Sequence, residues 1–149
     1  MRLSGEVARP GRKSPPDSNR VGINLLDAIF FALLLFQIKH FVFDFAFQTT
    51  YQVRHKGDYL HPGGLTHAGG HALGSIPALL VLTQVPAIIA GFVLFEFLLH
   101  YHIDFAKARI DRKLQPSHTS SLYWTIFGAD QLAHQLTYLG MAYALLRWV

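Results

Sequence analysis

Histidines and carboxylates recur four residues apart inside four apolar stretches of the chain. A spacing of four residues places side chains on one face of an α-helix, so each stretch carries a polar stripe on an otherwise apolar helix. Imidazoles and carboxylates together can bind a divalent cation, transfer protons or form an interhelical network. The stripes are His40 and Asp44; His67 and His71; Glu96, His100 and Asp104; Asp130 and His134.

The carboxylates of these stripes need partners. A charge near the middle of a membrane helix costs at least ~2.5 to 3.5 kcal/mol, and a divalent cation would hold carboxylates ionised and imidazoles neutral. The chain has no cysteine, so the ligands must be nitrogen and oxygen atoms, and the share of imidazole favours Zn, Mn or Fe over Ca or Mg. The alternative is a hydrogen-bond and ion-pair network that only holds the helices together.

The stripes supply more residues than one metal ion can bind. A tetrahedral zinc takes four ligands, so some of the nine residues must orient the others. We predict that Glu96 and Asp130 act in catalysis, as a base that activates water at the metal. The predicted metal ligands are His40, Asp44, His67, His71, His100, Asp104 and His134.

Two lysines lie beside the stripes. Lys39 is about a hundred degrees around the helix from His40, and we predict that it extends towards lipid headgroups. Lys107 follows Asp104 by three residues, a spacing that allows an ion pair. The histidines predicted to lie outside the cluster are His55, His61, His102 and His118.

Four long helices are needed to position the stripes. The chain has 149 residues, of which 51% are hydrophobic and 15% charged, a balance typical of a membrane protein. At about 1.5 Å per residue, each apolar stretch reaches about 30 Å, the thickness of a hydrocarbon core. We therefore predict an all-α integral membrane bundle over residues 23–149. Its four transmembrane helices are predicted at 23–47, 65–83, 86–106 and 122–148.

Residues 1–22 form a basic, proline-containing segment that we predict to be a disordered tail. The other basic residues lie mainly in loops that flank the apolar stretches, which favours anionic lipid headgroups over nucleic acid as their partner. Both ends of the bundle carry equal numbers of Lys and Arg, so charge does not determine the orientation. Small residues in the second span, Gly69, Gly70 and Gly74, could pack against a second copy in a homo-oligomer.

The stripes lie at one depth. They come late in the first and third spans and early in the second and fourth, so they approach the membrane face of the two basic loops. The opposite halves of the spans are almost wholly apolar, which argues against a conduction path across the bilayer.

Four motifs follow one another along the chain: HFVFDFAFQ (40–48) with Lys56 after it, HAGGH (67–71), EFLLHYHIDFAK (96–107) and DQLAH (130–134). In this order they resemble the bacterial membrane family known as domain of unknown function 3307. The resemblance covers residues 30–149 and implies a helical bundle in a bacterial inner membrane, without an assigned activity. The chain is also distantly similar to membrane-bound metal-dependent hydrolases, in which His and Asp motifs recur on apolar helices.

Three classes of function follow. The first is a metal-dependent hydrolase acting on an amphiphilic substrate at the membrane. The second is a protein that transports protons or a divalent cation. The third is a non-enzymatic metal-binding accessory protein or sensor. The chain has no H-E-x-x-H motif and no nucleophile elbow that would identify the reaction.

Overall fold

The computed structural model describes residues 18–148, and that part of the chain contains helices and no strand. The all-α prediction is therefore confirmed. The first helix begins at Ser18, within the segment predicted as a tail, and the rest of that segment lies outside the described residues. The elements are α1 (Ser18–Phe41) with a π-helical turn (Val42–Ala46), α2 (Thr50–His55), α3 (Pro62–Gly74), α4 (Ile76–Leu82), α5 (Pro86–Leu114) and α6 (Ser121–Trp148).

Three segments of the described chain are long and apolar enough to cross a membrane, where the sequence predicted four. They are Leu25–Ala46, Pro62–Leu82 and Pro86–Leu114. The fourth predicted span, α6, has 28 residues and is long enough, but it is not among the segments apolar enough to cross a membrane; it carries polar residues around Asp130 and His134.

The second span consists of two helices that meet at Ser75. Pro77 has no N–H and cannot continue the hydrogen-bond ladder of α3, so the helix breaks just before it. The Ser75 hydroxyl and the Lys39 ammonium both donate to the carbonyl of His71, at 3.3 and 3.1 Å. The break therefore lies beside the predicted site.

Large apolar side chains face both inwards and outwards. A buried core formed around Phe36, Leu79, Tyr138 and Met141 adjoins the stripes on the side away from the basic loops. Other large apolar residues are exposed along the outer faces of the long helices, as lipid-facing side chains would be. Examples are Phe30, Phe31, Leu94, Leu98, Leu132, Leu136 and Tyr143.

The segment between the first and second spans contains a short helix that the sequence analysis treated as loop. Helix α2 begins with a capping box between Thr49 and Gln52. After it, Asp58 accepts a hydrogen bond from Arg112 of α5 at 2.6 Å and lies 2.9 Å from the His55 ring. The hydrogen bond from Arg112, and to a smaller extent the contact with His55, lowers the pKa of the Asp58 carboxyl to about 2. The contacts tie this segment to the end of α5.

Two glycines of α3, which could have packed against a second copy of the chain, lie against Phe43 of the same chain. A Cβ added at Gly74 would lie 2.6 Å from Cε2 of Phe43, and one at Gly70 would lie 3.0 Å from Cε1. By contrast, a Cβ at Gly69 would meet its nearest atom, on Phe97, at 4.0 Å. Close packing within one chain therefore accounts for Gly70 and Gly74.

We expect Gly74→Ala to destabilise the protein by about 1–3 kcal/mol, because the added methyl group must displace the Phe43 ring. The Phe43 ring packs against His71, with centroids 5.3 Å apart, so the displacement would also reach the site. The matched control is Gly69→Ala, which should be neutral or stabilising by up to about 1 kcal/mol. Unfolding in detergent checks both variants, and equal stabilities would contradict the packing.

Candidate metal centre

The predicted site residues meet in the bundle interior, close to its basic-loop end. Two groups of side chains could each hold a cation, since the ligand atoms within each group all lie within 4.8 Å of one another. His100 belongs to both groups. His40 belongs to neither, and its role as a ligand stays a prediction. The first group is Asp44, His67, His71 and His100, and the second is His100, Asp104 and His134.

Asp44 lies at the centre of the first group. Its Oδ1 is 3.1 Å from Nε2 of His67 and 3.2 Å from Nε2 of His71. Its Oδ2 is 3.2 Å from Nε2 of His40, one helical turn earlier. The carboxylate lies in the π-helical turn that ends α1, and such turns frequently occur at functional sites. Asp44 therefore joins the first two stripes.

Asp104 joins the second, third and fourth stripes in the same way. Its Oδ2 is 3.2 Å from Nε2 of His67 and 3.4 Å from Nε2 of His100. Its Oδ1 is 3.9 Å from Nε2 of His134. The Nζ of Lys56 lies 3.0 Å from Oδ2. One carboxylate thus contacts three histidines and a lysine.

The ion pair considered between Lys107 and Asp104 does not form. Lys107 pairs with Asp111, one turn further along α5, at 2.9 Å. Lys56, the residue that follows α2, lies beside Asp104 instead. Lys56 was not among the predicted site residues, although it belongs to the motif that follows His40 to Gln48 in the family.

Several buried polar atoms of the cluster form no hydrogen bond with any residue of the described part of the chain. A buried polar atom without a partner costs about 1–3 kcal/mol, so a concentration of such atoms at one point calls for a ligand. The atoms are both ring nitrogens of His71 and of His100, Nε2 of His134 and Oδ1 of Asp44. Oδ2 of Asp104 also lacks hydrogen-bond geometry but has the Lys56 ammonium 3.0 Å away.

The spacing of these atoms fits a metal ion. Metal–nitrogen and metal–oxygen bonds of about 2.1 Å place neighbouring ligand atoms about 3.0 Å apart in an octahedral site and about 3.4 Å apart in a tetrahedral one. The distances from Asp44 and Asp104 to the nearest histidine nitrogens run from 3.1 to 3.4 Å. The donor set of imidazoles and carboxylates suits Zn, Mn or Fe.

His134 is held with one nitrogen facing the cluster. Its Nδ1 lies 2.9 Å from the backbone carbonyl of Asp130, and donation to that carbonyl leaves the Nε2 lone pair free to bind a cation. The Asp130 carboxylate lies beside the ring, with Oδ1 3.8 Å from Nδ1, and its Oδ2 accepts a hydrogen bond from Gln131.

Lys39 does not extend to the headgroups as predicted. It is 7% exposed and forms an ion pair with Glu96, which is fully buried. The ammonium also lies 4.5 Å above the Tyr138 ring. Helix α1 packs between α4 and α6, so more than one of its faces points into the bundle. The prediction for Lys39 assumed a single buried face and was therefore wrong.

The charges around the cluster leave an excess of two negative charges when the histidines are neutral. Four carboxylates are buried or nearly so, at Asp44, Glu96, Asp104 and Asp130, and two lysines, Lys39 and Lys56, oppose them. One divalent cation would bring the total to zero, as would two protonated histidines. The balance therefore fits one metal ion better than two.

Further polar side chains contact the histidines of the cluster. His40 contacts the hydroxyl of Tyr138 and the side chain of Gln131, both at 3.1 Å. Gln48 lies 3.2 Å from Nε2 of His67. Tyr138 was missed by the sequence analysis, although it continues the fourth stripe at a spacing of four residues from His134. The four histidines predicted to lie elsewhere belong to neither of the groups that could hold a cation.

Fold and site together define an all-helical protein with candidate membrane spans and a buried His/Asp cluster. Residues 29–148 match the family described as "Protein of unknown function (DUF3307)", and the chain belongs to this family. The resemblance seen in the sequence motifs is thereby confirmed. No curated protein and no solved structure matched the chain.

Proposed function

We propose that this protein is a metal-dependent hydrolase of the bacterial inner membrane that acts on an amphiphilic substrate near one membrane face. The observation that supports it is the set of buried histidine and aspartate atoms that converge without hydrogen-bond partners in the described chain. A divalent cation there would act as a Lewis acid and lower the pKa of water.

In this proposal α6 is the fourth transmembrane helix. Its polar residues face the interior, where His134 and Thr137 are buried, while Leu132, Leu136 and Leu139 on its other side are more than half exposed. A helix that hides its polar residues in the bundle can span the bilayer despite a lower average hydropathy. Exposed basic residues in the last turns of α5, such as Arg109 and Lys113, would contact anionic headgroups.

We assign the metal to the first group, Asp44, His67, His71 and His100. Since the second group shares His100 and the charge balance favours one ion, Asp104 and His134 would complete or orient that site. Each of Asp130 and Glu96 has one carboxylate oxygen without a hydrogen-bond partner in the described chain. Asp130 is the better candidate for the base, because it lies beside His134, whereas Glu96 forms an ion pair with Lys39 that keeps it ionised.

The end of the bundle away from the basic loops is closed, which favours hydrolysis over transport. On the side of the histidines away from the basic loops lies the ion pair of Lys39 and Glu96. The apolar core around Phe36, Leu79 and Met141 lies further in the same direction. A cation that crossed the bilayer would have to pass the Lys39 ammonium, which repels it, and then the apolar core.

We expect the metal-loaded protein in lipid vesicles to hydrolyse ester or phosphoester bonds of lipids, and Asp130→Asn to lower the rate by about 10²–10⁴-fold. The variant should keep its metal, because Asp130 is not in either metal-binding group. Asp58→Asn, outside the cluster, serves as the control with an unchanged rate. Metal-dependent cation flux without hydrolysis would contradict the proposal and favour transport.

A further inference from the structure

Two glutamine side chains meet on the outer surface of the bundle, where α1 lies beside α6. Gln37 of α1 is exposed, and its amide group donates a hydrogen bond to the side-chain carbonyl of Gln135 of α6. One turn closer to the basic-loop end, Gln131 lies 3.1 Å from Nε2 of His40. The side-chain carbonyl of Gln37 and the amide group of Gln135 form no hydrogen bond with the described residues. The pair therefore keeps a free acceptor and a free donor at the surface.

Gln37 lies near the middle of the first candidate span. That span, Leu25–Ala46, has 22 residues, so its midpoint falls between Leu35 and Phe36. At about 1.5 Å per residue, the midpoint is about 2 Å along the helix axis from Gln37. The middle of the bilayer contains no water and no headgroups, and hydrocarbon chains neither donate nor accept hydrogen bonds. The free groups of the glutamine pair therefore call for polar groups of another protein chain at the same depth.

A second copy of this chain supplies such groups at the correct depth. Copies that insert with the same orientation can be related by a two-fold axis along the membrane normal, and this axis brings Gln37 of both copies to one depth. A carboxamide has both a donor and an acceptor, so two symmetry-related glutamines can each donate to the other. A different membrane protein would need a polar residue of its own at that depth. Symmetry and hydrogen-bond chemistry therefore favour a second copy.

The exposed apolar residues around the pair have the spacing of a helix–helix interface. Steps of three and four residues keep side chains on one stripe of a helix, and a single polar residue within such a stripe fixes how the partners align. Because a hydrogen bond joins Gln37 to Gln135, the stripes of α1 and α6 lie side by side. Together they form a surface that we call the α1–α6 seam. Its residues are Phe30, Leu34, Gln37 and Phe41 on α1, and Leu132, Gln135 and Leu139 on α6.

We infer that this protein forms a homodimer through the α1–α6 seam, with the glutamines of the two copies hydrogen-bonded near the middle of the bilayer. Gly70 and Gly74 of the second span pack within the chain and are not available for this contact. Dimerisation requires that α1 and α6 both cross the bilayer, and it does not depend on the proposed reaction. The dimer also covers the side of the candidate metal centre where Gln131 contacts His40.

Gln37→Leu tests the hydrogen bonds between the copies. Fluorescence energy transfer between labelled copies is measured in vesicles of phosphatidylethanolamine and phosphatidylglycerol over a range of protein-to-lipid ratios. The labels are attached at Lys113→Cys in the last turn of α5, since the chain has no cysteine of its own. The wild type should dimerise, and Gln37→Leu should raise the dissociation constant about tenfold or more, because lipid cannot replace the lost polar groups. Gln37→Asn, which keeps a carboxamide, should dimerise more tightly than Gln37→Leu.

Gln84→Leu is the matched control. Gln84 is also exposed, but it donates to the carbonyl of Leu80 at the end of α4 and lies outside the seam. Its replacement should leave the dissociation constant unchanged. Equal dissociation constants for Gln37→Leu and Gln84→Leu would overturn the inference. So would a monomeric wild type, which would leave the seam to a different membrane protein.

Disulfide cross-linking locates the interface in a chain that keeps its glutamines, and so does not depend on whether Gln37→Leu folds. Oxidation in the same vesicles should convert Leu34→Cys and Phe41→Cys into covalent dimers. Leu98→Cys, on the exposed face of α5, should remain monomeric. Cross-linking at Leu98→Cys without cross-linking at the two seam positions would assign the dimer to another face and overturn the inference.

Discussion

One equivalent of Zn, Mn or Fe is expected to co-purify with the wild-type protein, and His67→Ala/His71→Ala should reduce it to less than a tenth. The two histidines provide half of the first metal-binding group, and both contact Oδ1 of Asp44. Removing one orienting residue already lowers metal affinity about 10–100-fold in known sites, so the loss of two ligands should abolish binding. Metal content is measured by mass spectrometry on detergent-purified protein without a histidine tag.

The matched control is His55→Ala/His61→Ala, which also removes two histidines from one chain. Their rings stack on each other, with centroids 3.9 Å apart, but neither belongs to a metal-binding group. This variant should retain one equivalent. Absence of metal from the wild type would contradict the metal centre and leave protonated histidines to balance the carboxylates. Two equivalents would contradict the charge balance that favours a single ion.

The spacing of the polar residues predicted the membership of the cluster well, because a helix converts a local pattern into a face. His67 and His71, or His100 and Asp104, need only one helix to lie side by side. Their depth in each apolar stretch then determines which stripes meet when antiparallel helices pack. The six residues of the two groups that could hold a cation all belong to the set predicted from the sequence.

The pairing between helices could not be predicted in the same way. Lys39 with Glu96, and Lys56 with Asp104, join residues that are distant in the chain, and no local pattern connects them. The contacts depend on how α1 packs against its neighbours and on where α2 directs the following residues. Average hydropathy does not show where the polar side chains of a helix lie. For this reason α6 is not among the candidate spans, although His134 and Thr137 on it are buried.

Replacement of Lys39 or of Glu96 alone is expected to destabilise the protein by about 3–5 kcal/mol, while their joint replacement should cost far less. Glu96 is fully buried and Lys39 is 7% exposed, so removal of either partner leaves an uncompensated charge in an apolar surrounding. When both become apolar, as in Lys39→Met/Glu96→Leu, the cost of desolvating two charges also disappears. Unfolding free energies of all four proteins in mixed micelles, followed by tryptophan fluorescence, give the coupling energy.

The pair of Lys107 and Asp111 is the control for this cycle, since both side chains are 29% exposed and lie one turn apart on α5. Lys107→Met should change stability by less than about 1 kcal/mol, as expected for a partly solvated pair. The double variant at Lys39 and Glu96 should also keep its metal, because neither residue belongs to a metal-binding group. Additive costs for Lys39 and Glu96 would show that the two charges are not coupled. Loss of metal from a stable double variant would instead assign Glu96 to the metal centre.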